Sequence, residues 1–139
     1  MKVLVSDPIT ESGLTILRNG GLEVHYLPEG SNEEKNSASK DVHGWIIRSG
    51  TKILENFIEG AENLQVIGRA GVGVDNIDIP AATRKGVVVM NTPDVNTISA
   101  AEHTVGLMLA LSRNIPRGHS RMRKGQWNRH CLVGSELRN

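Results

Sequence analysis

Aromatic side chains are scarce: two tryptophans, one tyrosine and one phenylalanine, 3% of 139 residues. That leaves no platform on which successive bases could stack, which argues against a nucleic-acid partner. The single cysteine, Cys131, excludes an intrachain disulfide. His25, His43, His103, His119 and His130 are scattered without metal-ligand spacing, so no metal is expected. No apolar run is long enough to cross a bilayer, and the chain enters directly on Lys2-Val3-Leu4-Val5, a strand pattern rather than a signal peptide. A reducing, cytoplasmic setting with no membrane contact is the expectation. Also missing are a P-loop lysine, a G-x-S-x-G elbow and a His-x-x-x-His pair, each the signature of a different chemistry.

Net charge is nearly absent too, at +1 from 16 basic and 15 acidic residues, but the signs are unevenly placed. Up to Ser112 there are 9 basic and 14 acidic residues, and from Arg113 onward 7 and 1. A step of this kind marks a boundary, a partner surface or both. The length suits one α/β core, or one domain with the beginning of another.

What is present is a rhythm. Val3-Leu4-Val5, Leu22 to Leu27, Trp45-Ile46-Ile47, Leu64 to Ile67 and Val87 to Met90 read as five strands, the second with the alternation of an edge strand. Between them lie helical stripes at Leu14, Ile16 and Leu17, and at Ile53, Leu54, Phe57 and Ile58, the latter stopped by Gly60. A polar loop with a short helix is expected over 28–40. Asp78-Ile79-Pro80 opens a further short helix that Gly86 stops. Strands alternating with helices predict an α/β fold with a doubly wound parallel sheet, whose ligands bind at the carboxyl ends of its strands. Beyond Val95 the pattern changes. Asn96 or Ser99 can cap a helix, Ser99-x-x-Glu102 reads as a capping box, and Val105 to Leu111 is almost wholly apolar, as in a helix buried between larger bodies. The expected domains are therefore 1–95 and 96–139.

The densest signal is Val66-Ile67-Gly68-Arg69-Ala70-Gly71-Val72-Gly73-Val74-Asp75-Asn76. It is an apolar strand running into three glycines and one arginine. Glycine is needed where a Cβ would block an incoming group, and a guanidinium supplies a fixed positive fork, so the stretch suits a small carboxylate or phosphate. A tight turn at a strand end is the plain alternative. Arg48-Ser49-Gly50-Thr51 repeats the arrangement after the third strand. Although Gly71-x-Gly73-x-x-Asn76 approaches a dinucleotide fingerprint, Asn76 replaces the third glycine, Asp75 would sit beside the pyrophosphate, and the helix starts too late to face it.

Gly68 to Asp78, then Ala81-Ala82-Thr83-Arg84-Lys85-Gly86, Asn91-Thr92-Pro93, and Asn96 with Ser99 to Thr104, resemble the D-isomer-specific 2-hydroxyacid dehydrogenases. Arg48 to Lys52, Lys124-Gly125-Gln126-Trp127 and Gly134-Ser135-Glu136-Leu137 fit the same family in order and spacing. The resemblance implies a flavodoxin-like substrate domain, followed by the linker helix and first part of a Rossmann NAD domain that stops before its glycine fingerprint. It implies NAD as cofactor, a phosphorylated 2-hydroxy acid as the small-molecule substrate, and a homodimer or larger assembly through residues 97–135. The family's catalytic residues would lie downstream, so none is assigned here. Arg48, Ser49, Arg69 and Asn96 match substrate-facing positions, the backbone of Ala70, Gly71 and Val72 would receive the carboxylate, and Val72 and Thr104 would lie near the nicotinamide. Two other readings are open: a glyoxylate or hydroxypyruvate reductase, and a stand-alone flavodoxin-like binding module.

Overall fold

Short runs of branched apolar residues, each closed by a turn residue, become the strands of one parallel sheet. The computed structural model describes residues 1–138. In chain order the elements are β1 Lys2–Val5, α1 Glu11–Asn19, β2 Glu23–Tyr26, α2 Asn32–Ser39, β3 Gly44–Ile47, α3 Glu55–Gly60, β4 Val66–Arg69, α4 Ile79–Lys85 and β5 Val88–Asn91. The sheet order is β2-β1-β3-β4-β5 with every pairing parallel. This is the flavodoxin-like winding, which reverses direction between β1 and β3. The expected doubly wound parallel sheet, with the second strand at an edge, is thus observed.

Alternation along the strands divides the core. Leu4, Trp45, Ile47 and Ile67 point to one face and are buried with Ile58 of α3 and Ala81 and Ala82 of α4. Trp45 is 1% exposed and stacks edge-on against Phe57, with ring centroids 6.1 Å apart. Val3 and Val5 point to the other face and meet Leu14 of α1. Over β4 and β5 that second face is open, leaving Val88 and Met90 exposed.

Several local expectations are corrected. Ile16 points outward at 71% exposure, because α1 presents Leu14 and Leu17 to the sheet instead. Ile53 and Leu54 precede α3 rather than belong to it. Ile53 bridges Ile77, donating its amide to Asn76 O at 2.8 Å and accepting from Asp78 N at 2.9 Å. A capping box does occur, but at Ser31 and Glu34 of α2.

The chain divides into two compact units, Met1–Val95 and the residues from Asn96 onward. In the second, α5 spans Thr97–Ser112, so Ser99 is interior and caps nothing; Asn96 holds the N-cap position without a side-chain bond. No residue of α5 is buried. The basic stretch holds a helix the sequence pattern did not reveal, α6 Ile115–Arg123, then a 3-10 turn at Arg129–Leu132. Pro116 sits in the first turn of α6, where a missing N–H costs nothing. Ser135 N donates to Ser112 O at 2.8 Å and Asn114 Nδ2 to Val133 O at 3.0 Å, tying the tail to the end of α5. Among the described residues no helix is long and apolar enough to cross a membrane.

Candidate functional site

The carboxyl ends of β1, β3 and β4 deliver three loops side by side, as the register Ile47↔Arg69 and Val5↔Ile46 requires. A buried carboxylate organises them. Asp7, 3% exposed at the end of β1, accepts at Oδ2 from Arg48 N at 2.6 Å and Thr51 N at 3.0 Å, and at Oδ1 from Thr51 Oγ1 at 2.8 Å. Gly50 permits this: a Cβ there would lie 2.8 Å from Asp7 Oδ1. Trp45 Nε1 donates to Ser6 Oγ at 2.7 Å, and Lys35 of α2, also buried, reaches Thr51 Oγ1 at 3.3 Å. Asn76, at the far end of the glycine loop, donates through Nδ2 to Arg48 O at 2.7 Å and Thr51 O at 2.6 Å. The switch-point crevice between β1 and β3 is therefore filled by the protein's own polar groups, and Arg48 and Ser49 stand exposed above it.

Arg69 closes β4 and folds its guanidinium over Gly71, into the space a side chain on Gly71 would occupy. It is half-buried and its Nε has no hydrogen-bond partner. Arg48 donates from Nη1 only to Pro8 O at 3.3 Å. Among the described residues the ion pairs are Lys2 with Asp41, Arg18 with Glu11 and Arg84 with Glu55, so neither loop arginine has an acid partner. Two of the three expected carboxylate-receiving amides are engaged: Ala70 N donates to Ile47 O and Gly71 N to Arg69 O, each at 2.8 Å. Among the described residues the amides of Val72 and Gly73 donate to no other group. Asn91 Nδ2 holds Val72 O at 2.7 Å, and Thr92 N holds Gly71 O at 3.0 Å, so β5 braces the loop. A shallow cavity of about 180 Å³ opens beside it, lined by Ile46, Gly68, Arg69, Ala70, Met90, Asn91 and Thr92.

The other sequence-expected residues belong to the second unit. Asn96 precedes α5, and Thr104 is exposed with its hydroxyl donating to Ala100 O at 2.8 Å, a bond within its own helix. A larger cavity, about 400 Å³, lies at the opposite, amino end of the sheet beside Lys2, His25 and Asp41. Ligands of open parallel sheets bind at the carboxyl ends of the strands instead. The groups in that cavity answer one another: their hydrogen bond, and then the charge of Lys2, hold Asp41 below its ordinary pKa, and the same bond, and then the charge of Asp41, raise that of Lys2. A dinucleotide does not fit the glycine loop, since α4 begins only at Ile79 and its N-terminus is capped by Asp78, which accepts from Ala81 N at 2.9 Å. No cluster of metal-ligating side chains occurs among the described residues.

The loop that carries Arg69 and its glycines thus leaves the carboxyl end of a central strand of a flavodoxin-like sheet. The family model for the D-isomer specific 2-hydroxyacid dehydrogenase catalytic domain matches residues 3–134. The chain belongs to the D-isomer-specific 2-hydroxyacid dehydrogenases. Among this family, D-3-phosphoglycerate dehydrogenase of Rattus norvegicus is 48% identical over 136 residues, covering 98% of this chain and 26% of its own. The enzyme of that name from Methanocaldococcus jannaschii is 49% identical over 137 residues, covering 99% and 26%. The chain thus spans about a quarter of the length of these curated relatives. NAD-dependent formate dehydrogenase from Staphylococcus aureus, solved in complex with NAD, superposes with a TM-score of 0.86 at 30% identity, over 99% of this chain and 46% of that one. Cofactor-bound 3-phosphoglycerate dehydrogenase from Entamoeba histolytica gives 0.71 at 38% identity, over 81% and 39%.

The polar residues that sequence reasoning missed as a group are Asp7, Lys35, Thr51 and Asn76. Asp7 carried a signal, being the acid that closes an apolar strand. Asn76 stood inside the glycine stretch but read as a loop terminator.

Proposed function

We propose that this chain is the substrate-binding part of an NAD-dependent D-3-phosphoglycerate dehydrogenase, which oxidises the 2-hydroxyl of D-3-phosphoglycerate to give 3-phosphohydroxypyruvate in the cytoplasm, at the start of serine biosynthesis. The observation that carries the reading is the pair Arg48 and Arg69, two guanidinium groups at the ends of neighbouring strands with no acid partner among the described residues. Unpaired cations beside the unengaged amides of Val72 and Gly73 suit a substrate with two anionic ends, a carboxylate and a phosphate. The names of the relatives agree with that chemistry. Because the glycine loop does not fit a pyrophosphate, the phosphates of NAD are assigned to other parts of the whole enzyme, with Val72 and Thr104 beside its nicotinamide, and no acid or base is assigned to this chain.

The test is turnover by a whole enzyme containing this chain, followed by NAD reduction. D-3-phosphoglycerate should be oxidised with a kcat/KM at least about a hundredfold above that for D-glycerate, as expected when a site built for a charged hydrogen bond meets a substrate lacking it. Equal rates on the two, or a preference for glyoxylate reduction, would contradict the phosphorylated substrate.

A further inference from the structure

The peptide of Arg48 is gripped at both ends. Its N–H donates to Asp7 Oδ2 at 2.6 Å and its C=O accepts from Asn76 Nδ2 at 2.7 Å, and the two gripping side chains are 3% and 8% exposed. They come from 41 and 28 residues away in the chain. Both also hold Thr51, through its N–H and its C=O, so the loop 48–51 is fastened at each end. Asn76 makes these bonds at a cost, because its own Oδ1 is left buried without a partner. With carbonyls on both sides of the amide, only the NH₂ orientation works, so an aspartate would set a carboxylate against two carbonyl oxygens. Asn76 also ends the loop that Arg69 begins, so one side chain links the two arginine-bearing loops.

We propose that Asp7 and Asn76 are positioning residues for the anion site, acting through the backbone of Arg48 to fix the point and direction from which its guanidinium reaches the substrate. This rests on the substrate reading of Arg48 given above. Neither residue touches the ligand. A long flexible arginine loses less freedom on binding when its backbone is already held, and that preorganisation is read as affinity.

The experiment is a double-mutant cycle on this chain, with the dissociation constant for D-3-phosphoglycerate taken from backbone amide shifts and the melting temperature recorded for each variant. Asn76→Ala should weaken binding about tenfold, the low end of what losing one charged hydrogen bond costs. In the Arg48→Ala background the same change should add less than about twofold, since a residue acting through Arg48 has nothing left to act on. Thr51→Val removes the hydroxyl bonds but not the grip on Arg48; it should lower the melting temperature and leave affinity within about twofold. If Asn76→Ala does not fold, Asp7→Asn, which keeps the size, runs the same cycle. Additive losses, or an equal loss of affinity in Thr51→Val, overturn the proposal in favour of general stability. If Arg48→Ala weakens binding while Asn76→Ala and Asp7→Asn do not, the clamp alone falls. Unchanged affinity in Arg48→Ala, or no saturable binding by the wild type, removes the substrate reading and the clamp with it.

Discussion

Trp45 is the residue on which the core turns, because it fills the space between β3 and α3 while its Nε1 feeds the polar network through Ser6. Trp45→Ala should cost about 3–5 kcal/mol, a large share of the roughly 5–15 kcal/mol a domain possesses, and urea denaturation measures it. A loss under about 1 kcal/mol would show the site collapsing around the change. The loop arginines should behave oppositely. In a whole enzyme, Arg48→Ala and Arg69→Ala should raise KM for D-3-phosphoglycerate about tenfold or more with little change in melting temperature, because neither has an acid partner to lose. Equal effects on D-glycerate would show that they do not read the phosphate. At this scale the sequence showed the arginines, which stand in plain view after apolar strands. Asp7 and Asn76 were hidden, since their backbone partners lie 25 to 44 residues away and only the sheet register brings them near.

Among the elements, those with local chemistry were readable. Asp78 caps α4 and Gly86 ends it in the left-handed conformation, both visible as residue types. Asp78→Ala should lower stability by about 1 kcal/mol in thermal or urea unfolding; an unchanged midpoint would mean that packing alone fixes the helix start. The start of α3 was unreadable, because Ile53 has a helical spacing yet is captured by Ile77 across the sheet end. Helix α6 was obscured by its charge, with Arg117, Arg121 and Arg123 masking a weak apolar side. The exposed pair that joins the start of β1 to the turn before β3 gives a pH prediction. Asp41 is lowered by the hydrogen bond and charge of Lys2, so its contribution is present above the unfolded carboxylate value, about 4, and lost as pH falls through the lower folded value. Lys2 is raised, so its contribution holds below about 10.4 and is lost as pH rises through the folded value. Asp41→Asn should remove both small wings from a plot of melting temperature against pH while leaving the neutral plateau close to wild type. Unaltered wings would show that the pair does not persist in solution.

At the scale of the whole molecule, α5 leaves Val105, Leu107, Met108, Leu109 and Leu111 exposed, and Trp127 is 77% exposed. Apolar surface of that extent is costly in water, about 25 cal/mol for each Å². Self-association through residues 97–135, as a two-fold dimer with Trp127 near the contact, is the expected outcome in sedimentation at micromolar concentration, and a chain ending at Val95 should be monomeric. Monomers in both cases would discard the interface. The sheet order and its loop-bearing end were legible from strand rhythm, whereas nothing in the sequence pattern told that the second face of the sheet stays open over β4 and β5. The central claim, that the ends of β3 and β4 form an anion site for a phosphorylated 2-hydroxy acid, is tested most directly by titrating D-3-phosphoglycerate into the isotopically labelled chain and mapping the amide shifts. Saturable shifts confined to residues 48–51 and 69–73 are predicted, strongest at Val72 and Gly73; shifts at the amino-end cavity around Lys2 and Asp41, or none that saturate, would contradict it.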